Sequence, residues 1–202
     1  MKRIFIIFNL ILWSFFALGN NCTHQYRIDK IKESKFLSLK RKSQNVFLNL
    51  ESIKKGKTFI SLPLKNGKSV TLKDTLTEED YGMVKYDYIG ELQLLNVYVI
   101  EVIYIVGSEL WLINKTDGWT TKALKFLSAT KKYVATYDIP ENDEYKGIEV
   151  FEGRNDKLIK LFTIKKNWFP DEIIWDSDNS FIVKAKSLDN YKVNLYFRIS
   201  LY

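Results

Sequence analysis

Few residues of this chain are of the types that do hydrolytic or metal chemistry. It has one histidine, His24, and one cysteine, Cys22, both near the N-terminus. A Ser-His-Asp triad, a Cys-His pair and a multi-histidine metal site are all but excluded. No Gly-rich phosphate loop occurs. Paired carboxylates remain, because the chain has 24 Asp and Glu and a glycosidase needs only two. No spacing singles out a pair, so a hydrolase built on carboxylates stands as a secondary alternative, and catalytic residues cannot be named. Asp176-Ser177-Asp178-Asn179-Ser180 opens like a calcium loop, but Phe181 and Ser187 stand where that loop needs Gly and Glu. It is expected to be a polar hairpin turn, and neither a metal nor a cofactor is expected. Glu101, inside an apolar run, is expected to point outward or to be paired.

Ligand binding has better raw material. Trp111, Trp119, Trp168 and Trp175, with Phe169, are the rings a platform would use, although rings more often fill cores. The most specific candidate surface joins two loops. Residues 138–146 carry Glu141, Asp143 and Glu144; residues 167–172 set Trp168 and Phe169 beside Asp171 and Glu172. Rings next to carboxylates stack on sugars or grip basic peptides. The alternative is that Trp168 and Phe169 are buried struts and the acids are solvated.

These residues must be positioned by a β-rich body. The chain has 202 residues, 46% hydrophobic and 15% aromatic, enough for one domain with a core. The last strand is the clearest: Tyr191, Val193, Leu195, Phe197, Ile199 and Leu201 alternate with Lys192, Asn194, Arg198 and Ser200. Residues 58–62 and 69–72 flank Asn66-Gly67, which predicts a hairpin with a type I′ turn, and Pro63 marks an edge strand. Residues 46–50 read as a short strand, and 92–106 as a central strand or a pair of strands. Hairpins follow at 109–113 with 119–126, then 133–139, 147–151 with 158–164, and 173–175 with 181–186. In 133–139, Tyr133, Ala135 and Tyr137 are expected outward. Turns centred on Asp117, Asn155 and Asp189 lie 38 and 34 residues apart, near the spacing of propeller blades. The expected fold is mainly β, an antiparallel meander of blade-like hairpins in one partial or small propeller-like domain.

Lys2, Arg3 and the apolar run 4–16, followed by Ala17-Leu18-Gly19, read as a signal peptide over residues 1–19. An uncleaved anchor is the alternative, but the run is short for a span, which needs about 20 residues. Cys22 is a candidate lipidation site with a poor lipobox. Residues 20–45 are expected to be a polar, basic, weakly ordered or partly helical segment, and 46–202 the β-rich domain. Charge is uneven: the net is +7, and residues 20–70 hold 12 Lys and Arg against 3 Asp and Glu. A basic stretch over 27–73 could meet a polyanion or membrane surface, or form a solvated face.

Several stretches resemble an uncharacterised family of small exported bacterial proteins with propeller-like repeats. They are residues 109–118, 132–138, 147–151, 168–172 and 174–175, with Asn66-Gly67, Val70-Thr71-Leu72 and residues 86–90. The resemblance implies a fold and an exported location, in the periplasm or outer envelope, but no catalytic residues. A Pro-Asp-Gly usual in such blades is replaced by residues 128–132. The expected role is therefore a non-catalytic binding or scaffold module for a protein or glycan partner. The first alternative is a polyanion or membrane-surface binder through residues 27–73, or a membrane association through lipidation; nucleic acid is disfavoured.

Overall fold

The structure, a computed structural model, describes residues 26–43, 53–75, 82–139 and 146–202. Strands take up 60% of the described residues and helix 7%, all strand pairings being antiparallel. The chain opens with β1 (Tyr26–Lys30) and a two-turn helix α1 (Glu33–Lys40), followed by the hairpin β2 (Phe59–Pro63) and β3 (Ser69–Lys73). A first four-stranded sheet follows: β4 (Val84–Leu92), β5 (Val97–Tyr104), β6 (Ser108–Asn114) and β7 (Thr120–Ala123). The second sheet is β8 (Phe126–Ala129), β9 (Tyr133–Tyr137), β10 (Ile148–Arg154) and β11 (Lys157–Ile164). The third is β12 (Trp168–Ser177), β13 (Ser180–Ser187) and β14 (Asn194–Leu201), and its fourth strand is β1, paired to β14 from Tyr26↔Leu201 to Lys30↔Phe197.

Period-2 alternation explains how these sheets stack. Along β5, Val97 and Val99 face the second sheet, while Tyr98, Ile100 and Val102 face the β2–β3 hairpin. A strand apolar on both faces must be covered on both. The second sheet does the same: Val134 and Phe151 turn to the first sheet, Ala135, Ile148 and Val150 to the third. In the third sheet, Phe181 and Val183 face the second, while Ile174 and Ile182 are covered by Phe36 of α1. The order of layers is hairpin, first, second and third sheets, helix. Among the described residues the sheets close into no barrel, and no buried cluster joins the hairpin to the third sheet.

Several expectations change on this frame. Residues 26–40, expected to be weakly ordered or partly helical, supply both a sheet strand and a helix, with Phe36 at 2% exposure. The basic stretch 27–73 is split: its helical lysines lie at one end of the stack and its hairpin lysines at the other. The Asn66-Gly67 turn is not type I′. Leu64 pairs with Lys68, leaving a three-residue loop in which Gly67 alone has positive φ (79°). The two-residue turn with both φ positive is Asn155-Asp156, at 49° and 60°. The return arm 119–126 ends at Ala123, and Phe126 already belongs to the next sheet. In β9 neither face is outward, because sheets cover both. The last strand starts at Asn194, leaving Tyr191 and Val193 exposed in the preceding turn. Residues 46–50 lie outside the described residues.

β12 shows how one extra residue re-aims a strand. Its register with β13 shifts between Pro170 and Glu172. Trp168 and, past the shift, Ile173 and Trp175 thereby face the second sheet together. Pro170 has no N–H to give a ladder, and β12 is an edge strand, where that is tolerated.

Candidate functional site

In a meander, successive turns alternate between two ends. The end where β1 begins, here the proximal end, carries the turns at 64–68, 93–96, 114–119, 130–132, 155–156 and 178–179. Backbone bonds join several of them, from Lys65 N to Lys115 O (2.8 Å), Lys115 N to Asn96 O (2.9 Å) and Gly153 N to Lys132 O (2.8 Å). The distal end carries the turns at 105–107, 124–125, 165–167 and 188–193, with residues 138–139 and 146–147. Of the two loops singled out from sequence, residues 167–172 and the described ends of 138–146 lie there, on neighbouring sheets.

Their residues fare unequally. Trp168 and Phe169 are each only 4% exposed. Trp168 stacks on Phe197 with ring centroids 4.7 Å apart, and Phe169 lies 5.6 Å from Tyr191. Their faces are taken by packing, so neither offers a platform; they are struts. Asp171 pairs with Lys184 (3.1 Å) and Glu172 with Lys40 of α1 (2.6 Å), which ties the helix to the third sheet. Glu141, Asp143, Glu144 and Cys22 lie outside the described residues. Glu101 is paired, accepting a hydrogen bond from Ser108 Oγ at 3.0 Å.

A distal cleft of about 180 Å³ opens between the first and second sheets. Glu109, Lys122, Lys125, Asp138, Lys146 and Glu149 supply its polar lining. Glu109 Oε1 accepts hydrogen bonds from Tyr104 Oη (2.7 Å) and Trp111 Nε1 (2.8 Å), and Lys122 lies 3.3 Å away. Burial pushes the Glu109 carboxyl up, but those donors outweigh it and hold it below the ordinary range. Tyr104 is pushed up to about 12, first by burial and then by the Glu109 carboxylate. Asp138 behaves oppositely. Burial raises it, with Glu149 adding to the effect, and Lys146 with two backbone N–H groups only partly offsets this. Its Oδ1 is buried and has no hydrogen-bond partner among the described residues. One cleft is thus lined by a carboxyl held below its ordinary range, Glu109, and one pushed above it by burial, Asp138.

Asp138 also gives a pH signature. A raised folded-state value means that its stabilising contribution is present below the ordinary Asp value of about 3.9 and is lost as pH rises through the folded value. Asp138→Asn is therefore expected to raise Tm at pH 7, with the gain shrinking as pH falls toward about 4. Thermal melts across that range check it; an unchanged or lowered Tm at pH 7 contradicts it.

The remaining acids are mostly occupied. Asp74 Oδ2 lies 2.8 Å from Lys55 and its Oδ1 accepts from Tyr86 N (2.9 Å), clamping the link into β4. Burial raises Asp74, but Lys55 and that N–H more than reverse it. Glu91 pairs with Lys115 (2.6 Å), and Glu152 with Lys132 (2.9 Å) and Arg154. A proximal cleft of about 250 Å³ includes Lys131, Asp176, Ser177 and Asp178. Asp176 Oδ1 accepts from Ser180 Oγ (2.7 Å), and its Oδ2 lies 2.9 Å from Arg198 Nε, whose N–H is not aimed at it. The Asp176–Ser180 stretch is thus a polar turn spent on itself. No cluster of three or more metal-ligating side chains occurs among the described residues.

Sequence reasoning missed Asp138 as a site residue, naming only the loop that begins there. Its one signal is position, a carboxylate closing a strand that is buried on both faces. Glu109 and Lys122 carry no sequence signal, because cross-strand pairing through β6 and β7 brings them together.

No family model matches the chain, and neither a curated protein nor a solved structure matches it. No helix among the described residues is long and apolar enough to cross a membrane.

Proposed function

We propose that this protein is a non-catalytic binding or scaffold module, exported to the cell envelope, that takes a protein or glycan partner at its distal end. Sequential four-stranded sheets stacked face to face, the last completed by the N-terminal strand, support a propeller-like reading of the body. The observation that carries the reading is the buried, unpartnered Asp138 Oδ1 in the distal cleft. An unpaired buried polar atom costs about 1–3 kcal/mol, so the cleft retains a hydrogen-bonding position that the fold itself leaves unfilled. Binding residues favour positions held on rigid scaffolds, and Asp138 directly follows β9 of the doubly covered second sheet.

The test is capture from envelope extract on immobilised protein. Asp138→Ala is expected to weaken capture by about 10-fold or more, from loss of a hydrogen bond worth about 1.5–3 kcal/mol, with no fall in Tm. Undiminished capture by the variant contradicts the proposal. The opposed environments of Asp138 and Glu109 favour one second reading, a carboxylate acid–base pair in a hydrolase. Turnover in a hydrolase screen that is abolished in both Asp138→Asn and Glu109→Gln would replace the first reading with this one.

A further inference from the structure

We propose that the proximal end is a docking surface for a bilayer containing anionic phospholipid. Three large apolar or aromatic side chains stand exposed there: Trp119 at 61%, Leu94 at 61% and Tyr202 at 68%. Trp119 sits on a rigid turn. Its N–H donates to Asp117 Oδ1 (2.9 Å), its carbonyl accepts Asn114 N (2.9 Å), and Asn114 Oδ1 accepts Thr116 N (2.6 Å). Gly118 lies so close to the hairpin that a Cβ there would come 2.8 Å from Val70 Cγ2. The ring is therefore held outward by backbone bonds. Tryptophan and tyrosine favour the membrane–water interface, where an apolar ring and a polar edge are both satisfied.

Charge on this end matches an anionic surface. Lys42, Lys65, Lys68, Lys131 and Lys157 make no ion pair among the described residues, and Lys157 Nζ lies 5.8 Å from the Trp119 ring centre. Glu91, Glu152 and Asp176 are answered by Lys115, Lys132 with Arg154, and Arg198, which leaves Asp117, Asp156 and Asp178 without an ion pair among the described residues, against those five lysines. The polypeptide enters at this same end: β1 begins at Tyr26, opposite Leu201. Nine residues separate Phe16, the last of the apolar run, from Tyr26, a reach of at most about 35 Å. Anything that holds that run at a bilayer also keeps this end within reach of it. The surface lies opposite Asp138 and does not rest on the distal reading.

The experiment uses the full chain in a Trp13→Phe background, which silences the one tryptophan of the apolar run. Vesicles contain phosphatidylcholine alone, or equal parts phosphatidylcholine and phosphatidylglycerol, each with brominated acyl chains. Expected is bromine quenching of an emission component on the anionic vesicles that disappears in Trp119→Phe. The quenching should fall about fivefold for each of Lys65→Gln and Lys157→Gln at low salt, and fade as salt rises. Trp119 is exposed, so its substitution leaves the fold intact, and Tm serves as the control. Vesicle-bound protein whose Trp119 is unquenched overturns the proposal. So does equal quenching on neutral vesicles, or binding to a sulfated polysaccharide without binding to anionic vesicles.

Discussion

Trp168→Ala is expected to cost about 3–5 kcal/mol, the range for emptying a buried aromatic site. Trp168 is 4% exposed, stacks on Phe197 at 4.7 Å, and belongs to the cluster that joins the second and third sheets. That cluster is drawn from strands of both sheets, their backbones pinned by ladders, so the cavity cannot collapse fully. Urea denaturation with unchanged m measures the loss. A cost below about 1 kcal/mol, typical of an exposed site, would contradict the packing described and return the ring to the candidates for a ligand platform.

Deleting residues 26–30 is expected to be comparably severe. Those residues supply the fourth strand of the third sheet through five paired positions. Tyr26 stacks on Phe162 of the second sheet at 4.9 Å, and Ile28 packs on the same cluster. Both are only half-buried, so their loss costs less than the about 1.5–3 kcal/mol each of fully buried side chains, together about 2–4 kcal/mol, to which the lost strand pairing adds. The deletion also bares β14, an alternating apolar strand, as an unpaired edge open to a second chain. Light scattering should show self-association as Tm falls. A stable monomer with an unchanged Tm would contradict the pairing.

The sequence made the hairpin meander legible because alternation is local. Leu195, Phe197, Ile199 and Leu201 do face the core as their spacing predicts. It failed where a second layer decides. Tyr133, Ala135 and Tyr137 alternate with Val134 and Thr136, but two sheets cover that strand, so alternation separates one core from another and not core from solvent. The strand 26–30 was hidden because its partner lies at the opposite end of the chain, and no local pattern reports pairing across that separation. The candidate loops were chosen because each lies between strands of successive blade-like units. Their aromatic members proved to be struts, since ring-rich strand starts look alike whether a neighbouring sheet covers them or not.

Acid behaviour follows from the same carboxylates. Asp74, Asp87, Glu109 and Glu152 all lie below their ordinary ranges in the fold, because bonds from Lys55, Lys85, Tyr104, Trp111, Lys132 and Arg154 outweigh burial. Their stabilisation is complete above about pH 4–5 and is lost as pH falls through the lowered values. Asp138 runs against this set, which makes it the acid whose removal should help the fold while harming binding.

Hydrogen exchange on the protein alone and with captured envelope partner reads out where that partner sits. Added protection is expected on residues 122–125, 138–139 and 146–149 around the distal cleft, and is expected to be absent in Asp138→Ala. Protection that instead covers the flat faces of the end layers, α1 and the β2–β3 hairpin, with the distal residues unchanged, would contradict distal binding.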